Sequence, residues 1–334
     1  MVLRIQTLDA HTGGEPLRLI IGGFRQPQGA TMLERREWLR EHNDDLRTAI
    51  MLEPRGHADM YGALLTPPER PDSDAGVLFM HNEGYSTMCG HGVIAVTTLV
   101  FEHALLTTRQ PDVLVLDTPA GTVRARADVV RDRGGIRVRS VTFRNVPSFV
   151  LHGGISVRIS GRDLRADVAF GGAFYAIVDS EAAGIPVLPE RLDTLKTTGM
   201  AIKAAIEAAV RVEHPLEPAL HGIYGTIFTA QASDERADLR NVTVFADAEV
   251  DRSPCGTGTC AVMAVLAAMG LLTPEQTFTH ESIIGSRFKG RVVGEVTVGE
   301  LPAIVPEIQG DAYLTGEHTF HIDARDPFAR GFRL

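Results

Sequence analysis

The sequence predicts an α+β fold made of two pseudo-symmetric lobes, each with a mixed, mainly antiparallel sheet around a central helix. Three observations lead to this prediction. A segment around one cysteine recurs around another, strand patterns outnumber helical ones, and most connections between strands are too short to hold a crossover helix. The length of 334 residues agrees with two lobes, because a single domain has roughly 100–200 residues.

The internal repeat contains two of the three cysteines. Residues 89–106, CGHGVIAVTTLVFEHALL, align with residues 255–272, CGTGTCAVMAVLAAMGLL, at an offset of 166 positions. A phenylalanine, Phe79 or Phe245, precedes each cysteine by the same distance and lies in a short apolar run. Each lobe is therefore expected to contain a strand, a turn that carries the cysteine and a helix that begins at this turn, and the two lobes are expected to face one another.

Alternation of apolar and other residues predicts the remaining strands. Residues 113–127 alternate around a Pro-Ala-Gly turn, which predicts a hairpin. Further strands are predicted at 136–150, 167–179, 223–230 and 291–305. Helices are predicted at 32–48, 91–106, 188–211 and 258–270.

The boundary between the lobes is expected at residues 131–135, RDRGG, because charge and paired glycines favour an exposed connection. The first lobe would comprise 1–133 together with 307–334 and carry Cys89. The second lobe would comprise 134–306 and carry Cys255.

Composition excludes several classes of partner. The net charge is -9 and the 33 basic residues are dispersed, so no nucleic-acid surface is expected. The longest uncharged apolar stretch, 259–272, is too short for a transmembrane helix, and no membrane association is expected. The N-terminus lacks the pattern of a signal peptide, and an odd number of cysteines does not indicate a disulfide framework. A cytoplasmic location is therefore predicted.

The repeated cysteines predict acid–base chemistry. At the start of a helix, unpaired N–H groups and the positive end of the dipole stabilise a thiolate, so Cys89 and Cys255 could act as bases near neutral pH. The glycines that follow let backbone N–H groups approach a carboxylate. A carbon acid held between a thiolate and a thiol can lose its proton on one face and gain another on the opposite face, which inverts the stereocentre.

The cysteines and glycines also allow interpretations without acid–base chemistry. A single cysteine is more often a small buried apolar residue, and this remains our interpretation of Cys260. A zinc site of Cys89, His91, Cys255 and Cys260 would have spacings that match structural zinc sites poorly. No phosphate-binding loop is present, and none of the lysines stands in a context that suggests pyridoxal chemistry. A reaction without a cofactor is therefore predicted.

Five motifs stand out along the chain, namely HTGGEP at 11–16, EPRGHADMYG at 53–62, MCGH at 88–91, FGGAFY at 170–175 and DRSPCGTGT at 251–259. They resemble the proline racemase family, which includes 4-hydroxyproline 2-epimerases and trans-3-hydroxy-L-proline dehydratases. The resemblance extends from about residue 5 to the end of the chain. It implies a diaminopimelate-epimerase-like fold with the active-site cleft between the two lobes. It also implies a homodimer, a small cyclic amino acid as substrate, and neither metal nor cofactor.

The resemblance also implies roles for individual residues. Cys89 and Cys255 match the two acid–base residues, and Asp251 matches an acidic residue that contacts the ring nitrogen of the substrate. The positions that match binding of the substrate carboxylate and ring are Gly90, His91, Gly256 and Thr257. Asp251 could instead cap the entry to the helix, and His91 could have a capping or supporting role. Tyr61, Phe79 and Phe245 are expected either to wall the substrate ring or to pack in the core.

The subtype within the family is predicted from the second cysteine. Dehydratases of the family typically replace one of the two cysteines, and this chain retains both, which favours inversion of proline or 4-hydroxyproline. The segments at 81–91 and 170–175 are nevertheless more similar to the dehydratase branch. Dehydration of trans-3-hydroxy-L-proline and non-catalytic binding of an imino acid therefore stay as alternatives.

Overall fold

The computed structural model describes residues 2–274 and 276–333. The chain divides into two compact units, one comprising Met1–Phe143 with Asp311–Leu334 and the other comprising Arg144–Gly310. Within the described residues, no helix is long and apolar enough to span a membrane.

The chain contains eighteen strands and six α-helices within the described residues. The strands are β1 (Val2–Thr12), β2 (Glu15–Gly22), β3 (Tyr61–Thr66), β4 (Ala75–His81), β5 (Tyr85–Ser86), β6 (Val113–Thr118), β7 (Gly121–Asp132), β8 (Gly135–Arg144), β9 (Ser148–Ile159), β10 (Arg162–Phe170), β11 (Phe174–Asp179), β12 (Gly225–Gln231), β13 (Leu239–Phe245), β14 (Glu249–Asp251), β15 (Phe278–Glu281), β16 (Arg287–Val298), β17 (Leu301–Gly310) and β18 (Ala312–Asp323). The α-helices are α1 (Met32–His42), α2 (Asp44–Met51), α3 (Gly90–Glu102), α4 (Ser180–Ala183), α5 (Leu192–Ala209) and α6 (Gly256–Ala268).

The first unit contains a mixed sheet in the order β18, β1, β2, β3, β4, β6, β7. The pairs β2–β3 and β4–β6 are parallel and the other pairs are antiparallel, while the short β5 pairs with the end of β4. Helix α3 packs against β1, β2, β7 and β18, and residues 90–100 of this helix are all buried. An all-round apolar helix is expected to be enclosed in this way.

The second unit has the same order of pairing. Its strands run β9, β10, β11, β12, β13, β15, β16, β17, again with two parallel pairs, β11–β12 and β13–β15. Pairing of β17 with β9 closes this sheet on itself. Helix α6 packs against β9, β10, β16 and β17, and its residues 256–265 are all buried.

The local predictions agree with several of these elements. The single strands predicted at 136–150, 167–179 and 291–305 are wrong in one respect, because a turn divides each segment into the end of one strand and the start of the next, which are β8 and β9, β10 and β11, and β16 and β17. The predicted hairpin is confirmed, because β6 and β7 are antiparallel with Thr118 opposite Gly121. The single helix predicted at 32–48 is wrong in one respect, because Asn43 lies outside the helical region (φ -135°, ψ 17°) and separates α1 from α2. The start of α1 follows its sequence, since Thr31 and Glu34 form a capping box.

Candidate active site

Cys89 is the N-cap of α3, in ordinary extended backbone geometry (φ -144°, ψ 113°). Its thiol accepts a hydrogen bond from the backbone N–H of Gly92, with an Sγ–N distance of 3.2 Å. The Nδ1 atom of His91 lies 3.2 Å from the same sulfur. Cys89 is 4% exposed and His91 is 3% exposed, so an imidazole and a thiol share a site with little access to water.

Gly92 is required by the packing beneath this turn. A Cβ atom at position 92 would lie 2.4 Å from Cε1 of Phe79 and 3.0 Å from the sulfur of Cys89. Phe79 on β4 is fully buried, and its ring therefore supports the first turn of α3 from below. This contact supports the core-packing interpretation of Phe79.

Tyr61 and His91 lie edge to face. Their ring centroids are 4.8 Å apart at an interplanar angle of 72°, and the Tyr61 ring also stacks on His81 at 5.6 Å. The Tyr61 hydroxyl is 2.6 Å from Oγ of Ser86, and the carbonyl of His91 accepts a hydrogen bond from Oγ1 of Thr12. These contacts place Tyr61 beside the predicted site residue His91.

Cys255 is the N-cap of α6, and its thiol accepts a hydrogen bond from the N–H of Gly258 at 3.3 Å. The arrangement is the same as at Cys89 and Gly92. A Cβ atom at position 258 would lie 2.8 Å from Cδ1 of Ile227 and 2.9 Å from the sulfur, so glycine is again needed. Gly256 is the first residue of this helix, as Gly90 is of α3.

Two effects oppose each other at the thiol of Cys255. The N–H of Gly258 favours the thiolate, whereas burial and the nearby Asp251 carboxylate disfavour it. The effects of burial and Asp251 are the larger ones, and they raise the pKa of Cys255 from 9.0 to about 12. Cys255 therefore holds its proton at neutral pH.

Asp251 ends β14, is 4% exposed, and accepts a hydrogen bond from the N–H of Ser253 at 2.8 Å. The bond fixes the turn that leads to Cys255. The structural alternative predicted for Asp251 thus has a contact that supports it, while the carboxylate stays close enough to Cys255 to influence its thiol.

Tyr175 on β11 is a neighbour of Cys255 that the sequence did not single out as a site residue. Its hydroxyl is 2.6 Å from Oγ1 of Thr257 and 3.7 Å from the sulfur of Cys255. Burial raises the pKa of Tyr175 well above its usual value, so the phenol stays neutral. The only signal in the sequence is its place in the motif FGGAFY at 170–175.

Phe245 belongs to a group of aromatic side chains that includes Tyr175. Its ring stacks on Tyr224 at 5.4 Å, and Tyr224 meets Tyr175 edge to face at 5.9 Å. Phe245 is 3% exposed, so its observed partners are aromatic side chains of its own unit.

None of the three cysteines forms a disulfide bond, and all three are buried. Cys260 is fully buried in α6, where burial raises its pKa far above 9.0, as expected for a packing residue. Among residues 2–274 and 276–333, no group of three or more His, Cys, Asp or Glu side chains is arranged to hold a metal ion.

His280 on β15 is a further buried residue behind Cys255 that the sequence did not indicate. It is fully buried, and its Nδ1 atom is 2.9 Å from Oγ1 of Thr259. Burial lowers the pKa of His280 from 6.5 to about 3. His280 is therefore neutral at any pH at which the enzyme would work.

Comparison with known families decides the assignment. The family model described as proline racemase matches residues 7–333. The chain belongs to the proline racemase family. Within this family, a "Trans-3-hydroxy-L-proline dehydratase" from Bacillus cereus is 48% identical over 98% of this chain and 97% of its own. A "3-hydroxyproline 2-epimerase" from Burkholderia multivorans is 44% identical, with the same coverage of both chains.

Solved structures agree with the family. A hydroxyproline epimerase from Agrobacterium vitis, crystallised with trans-4-hydroxy-L-proline, superposes with a TM-score of 0.91 at 34% identity, covering 99% of this chain and 96% of that one. A PhzF-family protein from Bacillus anthracis has a TM-score of 0.56 at 14% identity, covering 96% and 99% of the two chains, which is a likeness of fold alone. The expected proline racemase fold, with a mixed sheet and few helices, is confirmed.

The low pKa of His280 predicts a specific loss of stability in acid. Because its pKa is lower in the native state than in the unfolded chain, the unfolded chain takes up a proton below pH 6.5 that the native state refuses. The free energy of unfolding should therefore fall by about 3 kcal/mol from this residue between pH 7 and pH 4. Urea unfolding at several pH values measures this.

The variant His280→Asn provides the control. Asparagine does not titrate, so between pH 7 and pH 4 the free energy of unfolding of the variant should fall by about 3 kcal/mol less than that of the wild type. Between pH 7 and pH 8 the difference between the two free energies should stay nearly constant. Parallel profiles of the two proteins down to pH 4 would contradict the neutral, buried state of His280.

Proposed function

We propose that the protein is a cofactor-independent racemase or epimerase that inverts the α-carbon of proline or 4-hydroxyproline. The observation that carries this proposal is the pair of thiols, Cys89 and Cys255. Each is an N-cap at the start of a buried helix, and each accepts the N–H of the third residue after it. A second thiol in the same arrangement as the first is what inversion by two bases requires.

The starts of the two helices supply a site for the substrate carboxylate. The first N–H groups of a helix have no carbonyl partner within it, and the dipole favours an anion there. We assign carboxylate binding to the first-turn residues Gly90, His91, Gly256 and Thr257. The carboxylate of Asp251 accepts a hydrogen bond from the ring ammonium, a charge-assisted contact that suits a secondary amine.

The surroundings of the two thiols favour different resting states. Cys255 has a pKa of about 12 and rests as the thiol. The sulfur of Cys89 lies 3.2 Å from an imidazole nitrogen of His91, which can take up the thiol proton, and we assign the thiolate to Cys89. One turnover of the proposed reaction starts with one cysteine as the thiolate and the other as the thiol.

The proton transfers then balance. The Cys89 thiolate removes the α-proton from one face and becomes a thiol, and the electron pair of the C–H bond is left on the α-carbon. The Cys255 thiol gives its proton to the opposite face and becomes a thiolate. The product has the inverted configuration, and the enzyme is left in the form that accepts the opposite enantiomer. Both thiols are buried, which keeps water away from the atoms that exchange the proton.

Dehydration of trans-3-hydroxy-L-proline is the second candidate. It is favoured by the 48% identity to a relative with that name. In this reaction one base removes the α-proton while an acid protonates the hydroxyl that leaves from the adjacent carbon, so a single thiolate is enough. The retained thiol of Cys255 is the reason to place inversion first.

The proposal also includes an oligomeric state and a location in the cell. A homodimer is inferred from membership of the family alone. A cytoplasmic location is supported by the absence of a disulfide bond among the three cysteines, because reducing compartments keep cysteines in the thiol form.

The proposal predicts exchange of the α-hydrogen in D2O. L-proline, trans-4-hydroxy-L-proline and trans-3-hydroxy-L-proline are incubated separately with the enzyme and followed by proton NMR. At least one of the first two should lose its α-proton signal and form its epimer. Cys89→Ser and Cys255→Ser should each lower the rate of inversion by at least about 1,000-fold, since a serine hydroxyl is a far weaker base.

The variant Cys260→Ser is the matched control, because it removes the third thiol without touching the proposed pair. It should retain activity if it folds. Binding of these imino acids in calorimetry without exchange of any of them would overturn the proposal in favour of a non-catalytic binder.

The variant Cys255→Thr separates inversion from dehydration. If the enzyme is an epimerase, threonine cannot deliver the second proton, and formation of the epimer should be lost. If it is a dehydratase, the variant should still convert trans-3-hydroxy-L-proline to a cyclic imine, which is detected by its ultraviolet absorbance and by NMR. Imine formation by the wild type and by Cys255→Thr at similar rates, with no epimer from any substrate, would establish the second candidate.

A further inference from the structure

Cys255 has a backbone conformation that Cys89 does not share. Its φ is 62° and its ψ is 103°, in the region that favours glycine, whereas Cys89 is extended with φ -144°. A residue with a Cβ keeps such a conformation only if its surroundings hold it there, and residues of this kind cluster at functional sites.

Hydrogen bonds fix the peptide unit between Pro254 and Cys255. The carbonyl of Pro254 accepts two of them, from Nδ2 of Asn241 at 2.9 Å and from Oγ1 of Thr259 at 3.0 Å. The N–H of Cys255 donates to Oγ of Ser253 at 3.1 Å. The carbonyl of Cys255 accepts the N–H of Thr259 at 2.7 Å. The backbone on both sides of Cys255 therefore cannot rotate without breaking a buried bond.

His280 completes this arrangement. The hydroxyl of Thr259 has one hydrogen, which it donates to the carbonyl of Pro254, so Nδ1 of His280 at 2.9 Å must donate its own hydrogen to the threonine oxygen. This assigns the Nδ1–H tautomer to His280. Since His280 is fully buried and neutral, the direction of the bond does not change with pH above its low pKa.

The three side chains stand on rigid elements. Asn241 lies on β13 and His280 on β15, two paired strands with Leu239 opposite His280, and Thr259 lies in the second turn of α6. All three are fully buried. A displacement of the Pro254 carbonyl would therefore have to move a strand or a helix.

We propose that Asn241, Thr259 and His280 form a clamp that holds Cys255 in its strained conformation and thereby sets the position of its thiol. They are positioning residues, because none of them touches the reacting atoms. The role in catalysis rests on the proposed function of Cys255, but the effect on the geometry of the thiol does not. Cys89 is extended and needs no clamp, so loosening the clamp should change one thiol and leave the other unchanged.

The test compares His280→Leu, which removes the donor to Thr259, with His280→Asn, whose side-chain amide retains one. The folded proteins are treated with iodoacetamide, and the alkylation rates of the three cysteines are measured in the same sample by mass spectrometry of their peptides. In His280→Leu, alkylation of Cys255 should accelerate by at least about threefold as its backbone relaxes, with Cys89 and Cys260 unchanged. His280→Asn should resemble the wild type.

A second pair of variants, at Thr259, tests the clamp if His280→Leu does not fold. Thr259→Val removes the hydroxyl at nearly constant volume, and Thr259→Ser retains it. Thr259→Val should show the same selective change at Cys255. If the proposed function holds, it should also lower kcat by about 100-fold with little change in KM, because the thiol is misplaced while the binding groups remain.

The outcomes are distinct for the clamp and for the function. Equal alkylation of Cys255 in the folded Leu or Val variants and the wild type would overturn the clamp, as would equal acceleration of all three cysteines. A selective change at Cys255 in an enzyme that inverts no cyclic imino acid would support the clamp and contradict the proposed function.

Discussion

The hydrogen bond from a backbone N–H to the sulfur of an N-cap cysteine is the interaction on which the rest of the site depends. It occurs twice, from Gly92 to Cys89 and from Gly258 to Cys255. Both donors must be glycine, because a Cβ would collide with the sulfur and with an apolar side chain on a neighbouring strand. The glycine that allows each helix to pack closely on its sheet therefore also allows the N–H group to reach the cysteine sulfur at the start of the helix.

The same hydrogen bond does not give the two thiols the same chemistry. Cys89 has a histidine imidazole next to its sulfur, whereas Cys255 has the hydroxyls of Thr257 and Tyr175 and a nearby carboxylate. Burial and that carboxylate keep the second thiol protonated. These different surroundings are the reason why the proposed two-base reaction assigns the thiolate to Cys89 and the thiol to Cys255.

The sequence predicted the features that depend on neighbours along the chain. The repeat located both helix starts, and the glycines next to the cysteines indicated a close approach of backbone N–H groups. The break at Asn43 was missed because Leu39 and Leu46 retain a helical spacing on either side of it, although asparagine is a common N-cap.

The contacts of Tyr175 and His280 could not be predicted, since each of these residues lies on a strand, whereas its partner, Thr257 or Thr259, lies in helix α6. The positive φ of Cys255 is also not visible in the repeat, where Cys89 aligns with it and is extended. Register and backbone strain are properties of the assembled sheet, and the amino-acid pattern of one segment does not contain them.

The isotope content of substrate and product at low conversion tests the two-base account most directly. One enantiomer of the preferred imino acid is incubated in D2O, and the reaction is stopped when only a small part has been converted. Two opposed thiols predict that the new enantiomer contains deuterium at its α-carbon while the remaining substrate retains protium. Product that retains the original protium, or substrate that gains deuterium as fast as product forms, would show that one base serves both faces.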